Sequence, residues 1–365
     1  MAERLNVLGA QTSCYMKGAW EMIYIGMDVS CKSFVIHAID KRKRTVCKEE
    51  IAPCKEALVG LLNRLGKEPK LVVFEAGNQM KWIAQTLMKI ESVEVHVVHP
   101  NELKWISQSN GKTDKVDARK MAELARGDLL PRKVHIVEGH VRQLREMLSG
   151  RQVLQSKRVA LINGIRAMML QEGVKLPEKF FNRMDWRQRL EKSPVSEVTR
   201  MIIVAYMQGI SGLQAAEEVL SERIVAIEDG RLKQLESIPG LGVLSSRVLL
   251  GALDDATRFD NKKSAAKYGA LTPTVYQSGN VTHYGHICRD GRHEVRKVLL
   301  QCAHTVVRMK SYDSRPLREF FERIQKRRGK KIAIVALARK LLTIAYGILK
   351  TGTFFDPARL SLRPV

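Results

Sequence analysis

The segment MIYIGMDVSCKSFVIHAIDKRKRTVCKEEI, residues 22–51, decides the fold of the first part of this chain. It contains three runs rich in β-branched and aromatic residues, at 22–29, 33–39 and 44–51, with a turn-like stretch between each pair. Such runs, bounded by turn residues, are typical of strands joined by short connections. The segment therefore predicts a three-stranded antiparallel meander.

The pattern then changes to alternating helices and strands. Residues 54–65 have helical apolar spacing, and 70–74 form a compact apolar strand that ends at Glu75. A second helix at about 79–90 and a strand at 93–98 follow, and a polar connection starts at Pro100. A helix is expected at 113–126, capped by Thr113 or Asp114. The order βββαβαβα is the one that ribonuclease-H-like domains use.

Beyond Pro131 the sequence predicts long helices. Residues 141–171 have helical apolar spacing with many basic residues between, which indicates a long basic helix. A linker containing Pro177 and Pro194 precedes a second helical stretch at about 195–235. The two stretches are compatible with a helical hairpin or coiled coil that separates two globular parts.

The segment SIPGLGVLSSRVLLGAL, residues 237–253, predicts a helix-hairpin-helix module. Gly240 and Gly242 would let the backbone approach DNA, and the following helix N-terminus would offer amides to a phosphate. A helix–helix turn buried in the core is the alternative interpretation.

The charge balance indicates the kind of partner. The 365 residues include 62 Lys plus Arg against 38 Asp plus Glu, a formal net charge of +24, which predicts a polyanionic partner. The length suits two or three domains, and the 45% hydrophobic content suits packed cores.

Short apolar runs and an N-terminus without signal-peptide character predict no membrane segment and a cytoplasmic protein. The six cysteines form no C-x-x-C pair, so a disulfide framework is not indicated.

Four acidic residues stand out in this basic chain: Asp28, Glu75, Asp114 and Asp117. Strands would present the first two, and one helix face would present the last two, which are three residues apart. Carboxylates facing a polyphosphate need cations between them, and two Mg²⁺ ions about 3.5–4 Å apart would bind both the attacking and the leaving oxygen. For the helical pair alone, a solvated acidic face at a helix start is the alternative. Basic residues around them would form a phosphate-binding rim: Lys112, Lys115, Arg119 and Lys120.

A second group of polar residues lies at 268–299. Ser278 is followed by four basic residues that are predicted to bind nucleic acid, Arg289, Arg292, Arg296 and Lys297. A serine hydroxyl needs a base or a metal to become a nucleophile, and this loop offers no base, so a structural turn serine is the alternative. The cluster His283, His286, Cys288 and His293 could ligate zinc, although its spacing matches no familiar zinc motif.

Together the motifs resemble those of the DEDD transposases of the bacterial insertion-sequence one-ten family and of the related pilin-gene-inverting recombinases. They occur in order over residues 23 to about 310: Y-I-G-M-D-V-S, F-E-A-G, K-T-D-x-x-D-A, I-P-G-L-G, Y-G-x-L-T-P-x-x-Y-Q-S-G and G-x-I-x-R-x-G-x-x-x-x-R-x-x-L. The resemblance implies an N-terminal extension (1–20), a RuvC-like α/β domain with a mixed sheet (21–132), a helical or coiled-coil connector (133–235), a mostly helical transposase domain with the helix-hairpin-helix (236–350) and a C-terminal tail (351–365).

The resemblance also implies a mechanism. Asp28, Glu75, Asp114 and Asp117 would bind Mg²⁺, with Mn²⁺ as a substitute, and Ser278 would form a covalent phosphoserine intermediate with DNA. Donor and target DNA, a structured bridge RNA and further copies of the chain, as a dimer or tetramer, are the expected partners. The chain departs from the usual pattern at Ala270, where glycine is common, and at Gln277, where many relatives have serine.

Two other functions fit the same residues. A hydrolytic junction endonuclease would use the carboxylates to activate water and would not need Ser278. A non-catalytic DNA-binding protein would use the helix-hairpin-helix and the basic helices alone.

Overall fold

The computed structural model describes the backbone of residues 21–107, 114–278, 281–288 and 290–361. Side chains are described in the same ranges except at 104–107, 114, 115, 278, 282, 284 and 361. The chain divides into two compact units, Met1–Ile136 and Val137–Val365.

A five-stranded sheet forms the centre of unit 1, in the order β3-β2-β1-β4-β5. Its strands are β1 Ile23–Val29, β2 Phe34–Ile39, β3 Thr45–Ile51, β4 Lys70–Glu75 and β5 Val93–Val98. β1, β2 and β3 pair antiparallel, which confirms the predicted meander. β4 pairs parallel with β1, and β5 pairs parallel with β4, so the sheet is mixed.

Helices cover both faces of this sheet. On one face, α1 (Lys55–Arg64) and α2 (Met80–Leu87) bury their apolar sides against Ile25, Met27 and Phe74. The other face carries α3 (Pro100–Ser107) and α4 (Asp114–Arg126), whose apolar residues pack with Val73 and Val98.

The helix α3 corrects the prediction of a polar connection after Pro100. Proline suits the first position of a helix because its fixed φ is helical and the first amide would be unpaired in any case. Glu102, in the first turn, also suits the positive end of the helix dipole. The proline therefore marks a helix start here.

In unit 2, two long helices form an antiparallel hairpin: α5 (Gly139–Gln171) and α7 (Glu197–Val225). Glu217 of α7, which is 9% exposed, forms ion pairs with Arg151 and Arg158 of α5 at 2.9 and 3.2 Å. At the far end, Glu172 accepts hydrogen bonds of 2.6 Å from Ser196 and Thr199. The short helix α6 (Trp186–Glu191) and Phe180 pack between the two arms at this tip.

The second helical stretch ends earlier than the predicted residue 235. α7 stops at Val225, and the chain resumes as α8 (Gly230–Glu236) after a break. Asp229 explains the break, because its carboxylate accepts the backbone N–H of Arg231 at 2.9 Å and so caps a new helix.

The remaining helices of unit 2 are α9 Val243–Leu253, α10 Lys262–Tyr268, α11 His293–Arg308, α12 Arg315–Arg328, α13 Lys330–Thr351 and the short α14 Ala358–Ser361. α13 packs against α8, α10, α11 and α12, whereas α9 packs against α5, α7, α8 and α11. α13 has the length and apolar composition of a membrane span, yet half of its most apolar window is buried inside the unit, as in a core helix.

A separate two-stranded antiparallel sheet completes unit 2. Its strands are β6 (Pro273–Ser278) and β7 (Val281–Ile287). Val275, Tyr276 and Val281 on these strands are more than half exposed, at 52, 68 and 55%. The hairpin therefore projects its side chains to the outside of unit 2.

Candidate active site and nucleic-acid contacts

Asp28 and Glu75 lie at the carboxyl ends of neighbouring parallel strands. Met27 of β1 pairs with Phe74 of β4, and each acidic residue follows directly. Parallel strands are about 4.8 Å apart, so the two acidic residues leave the sheet side by side. Because Met27 and Phe74 are buried against α1 and α2, the alternation of side chains directs Asp28 and Glu75 towards the face that α4 covers.

A close contact fixes α4 on that face. A Cβ added at Gly26 would lie 1.9 Å from the carbonyl oxygen of Ala118 and 2.7 Å from the amide nitrogen of Ala122. Only glycine allows the helix backbone to come this near to the strand. Gly26 is two residues before Asp28 on the same face of β1, and Ala118 directly follows Asp117. Asp117 is half-buried in the first part of α4.

The other predicted members of this site fall at the limits of what the structure describes. Asp114 and Lys115 begin α4, but their side chains lie outside the described set, and Lys112 and Arg289 lie outside the described residues. Among the described side chains, no group of three or more His, Cys, Asp and Glu residues could hold a metal ion. This finding also applies to the histidine cluster around Cys288. The carboxylate oxygens of the predicted site are ligands that suit a hard cation such as Mg²⁺.

Arg119 faces a basic cavity of about 500 Å³ beside the sheet, lined also by His37, Lys43 and Lys48. It forms an ion pair of 2.8 Å with Glu123 on the next turn of α4. Burial of the imidazole and the charges of Arg119 and Lys48 lower the pKa of His37. Lys120, also predicted to bind phosphate, is half-buried.

Ser278 is the last residue of β6 and pairs with Val281, so it lies at a strand end rather than inside a loop. Its side chain is outside the described set. The neighbouring Tyr276 pairs with His283 across the hairpin and is exposed. The strand pairing therefore holds the backbone of Ser278 at the end of β6.

The predicted basic residues of α11 have different roles. Arg296 donates to the carbonyl oxygens of Cys288 and Ala270 at 3.2 and 3.4 Å, so it connects α11 to the hairpin base. Arg292 forms an ion pair with Glu294. The side chain of Lys297 is exposed and makes no hydrogen bond or ion pair with any described residue.

Sequence reasoning missed a cluster of guanidinium groups around Tyr268. Burial opposes ionisation of this phenol, but the charges of Arg145, Arg292 and Arg258 outweigh it and lower the pKa of Tyr268. The Arg258 guanidinium also lies 4.4 Å from the centre of the Tyr268 ring. Residue 145 is far from 268 in sequence, so no local pattern could have indicated this cluster.

The two glycines of the predicted helix-hairpin-helix differ. α8 and α9 are joined by residues 237–242, as predicted for two helices with a short connection. Gly240 has φ +85° and packs on α11, where an added Cβ would lie 2.5 Å from Val306 and 2.9 Å from the carbonyl oxygen of Cys302. Gly242, at the start of α9, is exposed, and an added Cβ there would meet nothing within 4 Å.

Comparison with known proteins gives the class of this molecule. Residues 25–173 match the transposase family DEDD_Tnp_IS110, and residues 232–319 match the Transposase IS116/IS110/IS902 family. The chain is therefore a transposase-class protein that carries both of these regions in order. It belongs to the IS110 family of transposases.

Individual relatives agree with this assignment. The transposase for insertion sequence element IS1328 of Yersinia enterocolitica is 23% identical over 340 residues, which cover 91% of this chain and 98% of that protein. The transposase for insertion sequence element IS1111A of Coxiella burnetii is 23% identical over 334 residues, 89% of each chain. A pilin gene-inverting protein of Moraxella bovis is 35% identical over 128 residues, 34% of this chain and 39% of that protein.

Proposed function

We propose that this chain breaks and rejoins DNA strands through Ser278, with Mg²⁺ bound by Asp28, Glu75, Asp114 and Asp117. The observation that carries the proposal is the pair Asp28 and Glu75 at adjacent carboxyl ends of β1 and β4, beneath a helix that supplies two more carboxylates. The sheet order, with one antiparallel meander and two parallel strands, supports a RuvC-like, ribonuclease-H-like domain.

In this proposal each residue has a defined task. The Ser278 oxygen forms a bond to phosphorus and loses its proton, while the bond from phosphorus to one deoxyribose oxygen breaks and that oxygen takes up a proton. Attack of another strand's hydroxyl on the phosphoserine reverses these changes and restores Ser278. Bound Mg²⁺ would act as a Lewis acid on the phosphate oxygens. The carboxylates would hold this cation, and its positive charge would reduce repulsion between the protein acids and the DNA phosphates.

A trapping experiment tests the proposal. The purified protein is incubated with DNA that carries a nick near the element end, so that religation fails, and the mixture is denatured. A covalent protein–DNA adduct is expected for the wild type and the control Ser264→Ala, and its absence is expected for Ser278→Ala. Cleavage by Ser278→Ala without an adduct would favour a hydrolytic endonuclease and overturn the proposal.

The metal requirement has its own test. EDTA should abolish adduct formation, and Mg²⁺ or Mn²⁺ should restore it, because both are hard cations that carboxylates bind. Asp117→Asn should lose the adduct and keep DNA binding, since it removes one carboxylate charge without adding bulk. Equal adduct yields with and without EDTA would contradict the metal assignment.

The proposed assembly includes a guide RNA and several copies of the chain. The net charge of +24 supports binding of DNA and RNA alike. Sequencing of RNA that copurifies with the protein should recover one structured transcript from beside the gene, and mass photometry should detect dimers or tetramers when DNA is added. Recombination by RNA-free protein at full yield would exclude the guide.

A further inference from the structure

The structure points to a second nucleic-acid contact in unit 2. We propose that the groove between α5, α9 and α11 binds the phosphodiester backbone of a nucleic-acid strand without metal. This inference rests on the proposed action on nucleic acid, but it concerns helices and residues apart from the four carboxylates and from Ser278.

The groove runs along parts of three helices. It has a volume of about 620 Å³, and each helix contributes residues that share one face. On α5 the lining runs from Arg145 to Ser156, which corresponds to about 16 Å of helix rise. One strand of duplex DNA carries a phosphate about every 3.4 Å of helix axis. The groove is thus long enough for more than one phosphate of a strand, whereas a single free phosphate would occupy only a part of it.

The charges that line the groove favour a polyanion. Four basic residues contribute, Arg145 and Arg151 from α5 with Arg292 and Lys297 from the α11 side, against a single acidic residue, Glu294. Two of the arginines are already engaged, because Arg151 pairs with Glu217 and Arg292 pairs with Glu294. Lys297 supplies an exposed ammonium group without a described partner.

One end of the groove carries concentrated positive charge. Arg145 and Arg292 lie near each other and near Tyr268, and Arg145 donates to the carbonyl oxygens of Gly251 and Ala252. These hydrogen bonds hold the Arg145 side chain in place on α9. A guanidinium that is positioned in advance loses little conformational entropy when a phosphate approaches.

The uncharged lining also suits a nucleic-acid strand. Gln152, Gln155 and Gln301 carry amide groups that can donate to phosphate oxygens or to bases. Leu148, Leu244 and Val248 form an apolar floor that can contact sugars and base faces. A lining that combines cationic, amide and apolar groups fits a nucleotide chain better than an acidic peptide, which lacks flat apolar rings at each step.

The decisive experiment measures how affinity depends on salt for the full-length protein in EDTA. The probes are fluorescent single-stranded DNA, duplex DNA and single-stranded RNA, each titrated by anisotropy at several salt concentrations. Loss of one phosphate contact lowers the slope of log affinity against log salt by about 0.9 on duplex DNA and by about 0.7 on single strands. We expect Lys297→Gln to lower the slope by this amount and to weaken binding several-fold on at least one probe. The matched control is Lys331→Gln, which removes an exposed lysine of α13 outside the groove.

A second pair of variants should change affinity and salt slope in the opposite direction. Glu294→Gln removes the acidic residue from the groove and releases Arg292, so affinity and salt slope should both rise. Glu319→Gln removes an acidic residue that pairs with Arg315 on α12, outside the groove, so it matches the change in charge and in ion pairing. Thermal unfolding of each variant checks that the fold is intact.

The outcomes separate this inference from the proposed function. Equal salt slopes for Lys297→Gln and Lys331→Gln, or equal gains in affinity for Glu294→Gln and Glu319→Gln, would overturn the proposed binding in the groove. This holds whether or not a covalent adduct forms. Binding confined to mononucleotides would also overturn it, because the groove would then take a small anion. Loss of the adduct in Ser278→Ala with unchanged groove-dependent binding would support both. The probe whose slope changes identifies DNA or RNA as the strand that the groove holds.

Discussion

The α-carbon of Gly26 in β1 lies against the backbone carbonyl of Ala118 in α4, so closely that a Cβ at Gly26 would be 1.9 Å from the Ala118 oxygen. This contact sets the height of α4 above the sheet. It joins the strand that carries Asp28 to the helix that carries Asp117. The distance between Asp28 and Asp117 in the proposed metal site therefore depends on the lack of a side chain at Gly26.

Gly26→Ala should displace α4 and reduce both stability and adduct formation. The atoms that the new methyl group would meet belong to the helix backbone, so relief requires the whole helix to move, at a cost of about 1–3 kcal/mol. Thermal unfolding and the DNA trapping assay measure the two effects. Gly60→Ala is the control, because its Cβ would meet only the tip of Arg64 at 4.0 Å. Equal behaviour of the two variants would contradict this role of Gly26.

Arg247→Met should destabilise unit 2 strongly. The buried Arg247 side chain donates to the carbonyl oxygens of Ile224, Val225 and Ile227 at the end of α7, at 2.8, 2.6 and 3.1 Å. Methionine preserves much of the volume but leaves these acceptors unpaired, so we expect a loss of about 3 kcal/mol. Urea unfolding measures it. Arg223→Met, at an exposed position of α7, should change stability little, and a similar loss there would show that the buried hydrogen bonds are not the cause.

The stability of unit 2 should depend on the ionisation of Asp229. Burial alone would raise the pKa of this carboxyl, but hydrogen bonds from Arg231 and His140 outweigh it and place the pKa below its ordinary value of 3.8. A carboxylate with a lowered folded pKa stabilises the fold above the ordinary value, and this contribution is lost as the pH falls further. Wild type should therefore exceed Asp229→Asn in melting temperature at neutral pH, and the difference should shrink below about pH 4.

The matched control for Asp229 is Asp313→Asn, an exposed position. It should melt like the wild type at each pH. A difference between wild type and Asp229→Asn that stays constant down to pH 2 would contradict the ionisation argument.

Cys47 should resist alkylation although it lies on an edge strand. Burial and the nearby Glu49 carboxylate raise the pKa of the Cys47 thiol to about 11. The thiolate is the nucleophile, and at pH 8 only about one in a thousand such groups is ionised. Iodoacetamide labelling followed by peptide mass spectrometry should modify the exposed Cys31 much faster than Cys47. Similar rates at pH 8 would contradict the raised pKa.

Periodicity in the sequence was enough to predict the meander, the strand that ends at Glu75 and the long helix α5. Each of these depends on a local alternation of apolar and polar residues. The start of α3 at Pro100 and the break at Asp229 were missed, because a single capping or helix-starting residue competes there with a weak apolar pattern. Contacts between distant residues, such as Arg145 with Arg292 near Tyr268, leave no local signal.

Ala270 shows why the departure from the usual glycine matters. The structure gives this alanine φ +54°, in the left-handed region that glycine enters without steric cost. The resemblance pointed to this position, and the positive backbone angle gives a physical reason why glycine would suit it.

The hairpin of α5 and α7 also fixes a length. The 33 residues of α5 rise about 50 Å, so Phe180 and Trp186 at the tip are held far from the helices that pack on the first turns of α5. A rigid spacer made of two packed helices can change its reach only in steps. Removing seven residues from each arm at opposite positions would shorten it by about 10 Å and keep the same faces in contact. The length of the hairpin would therefore change only by whole helical turns.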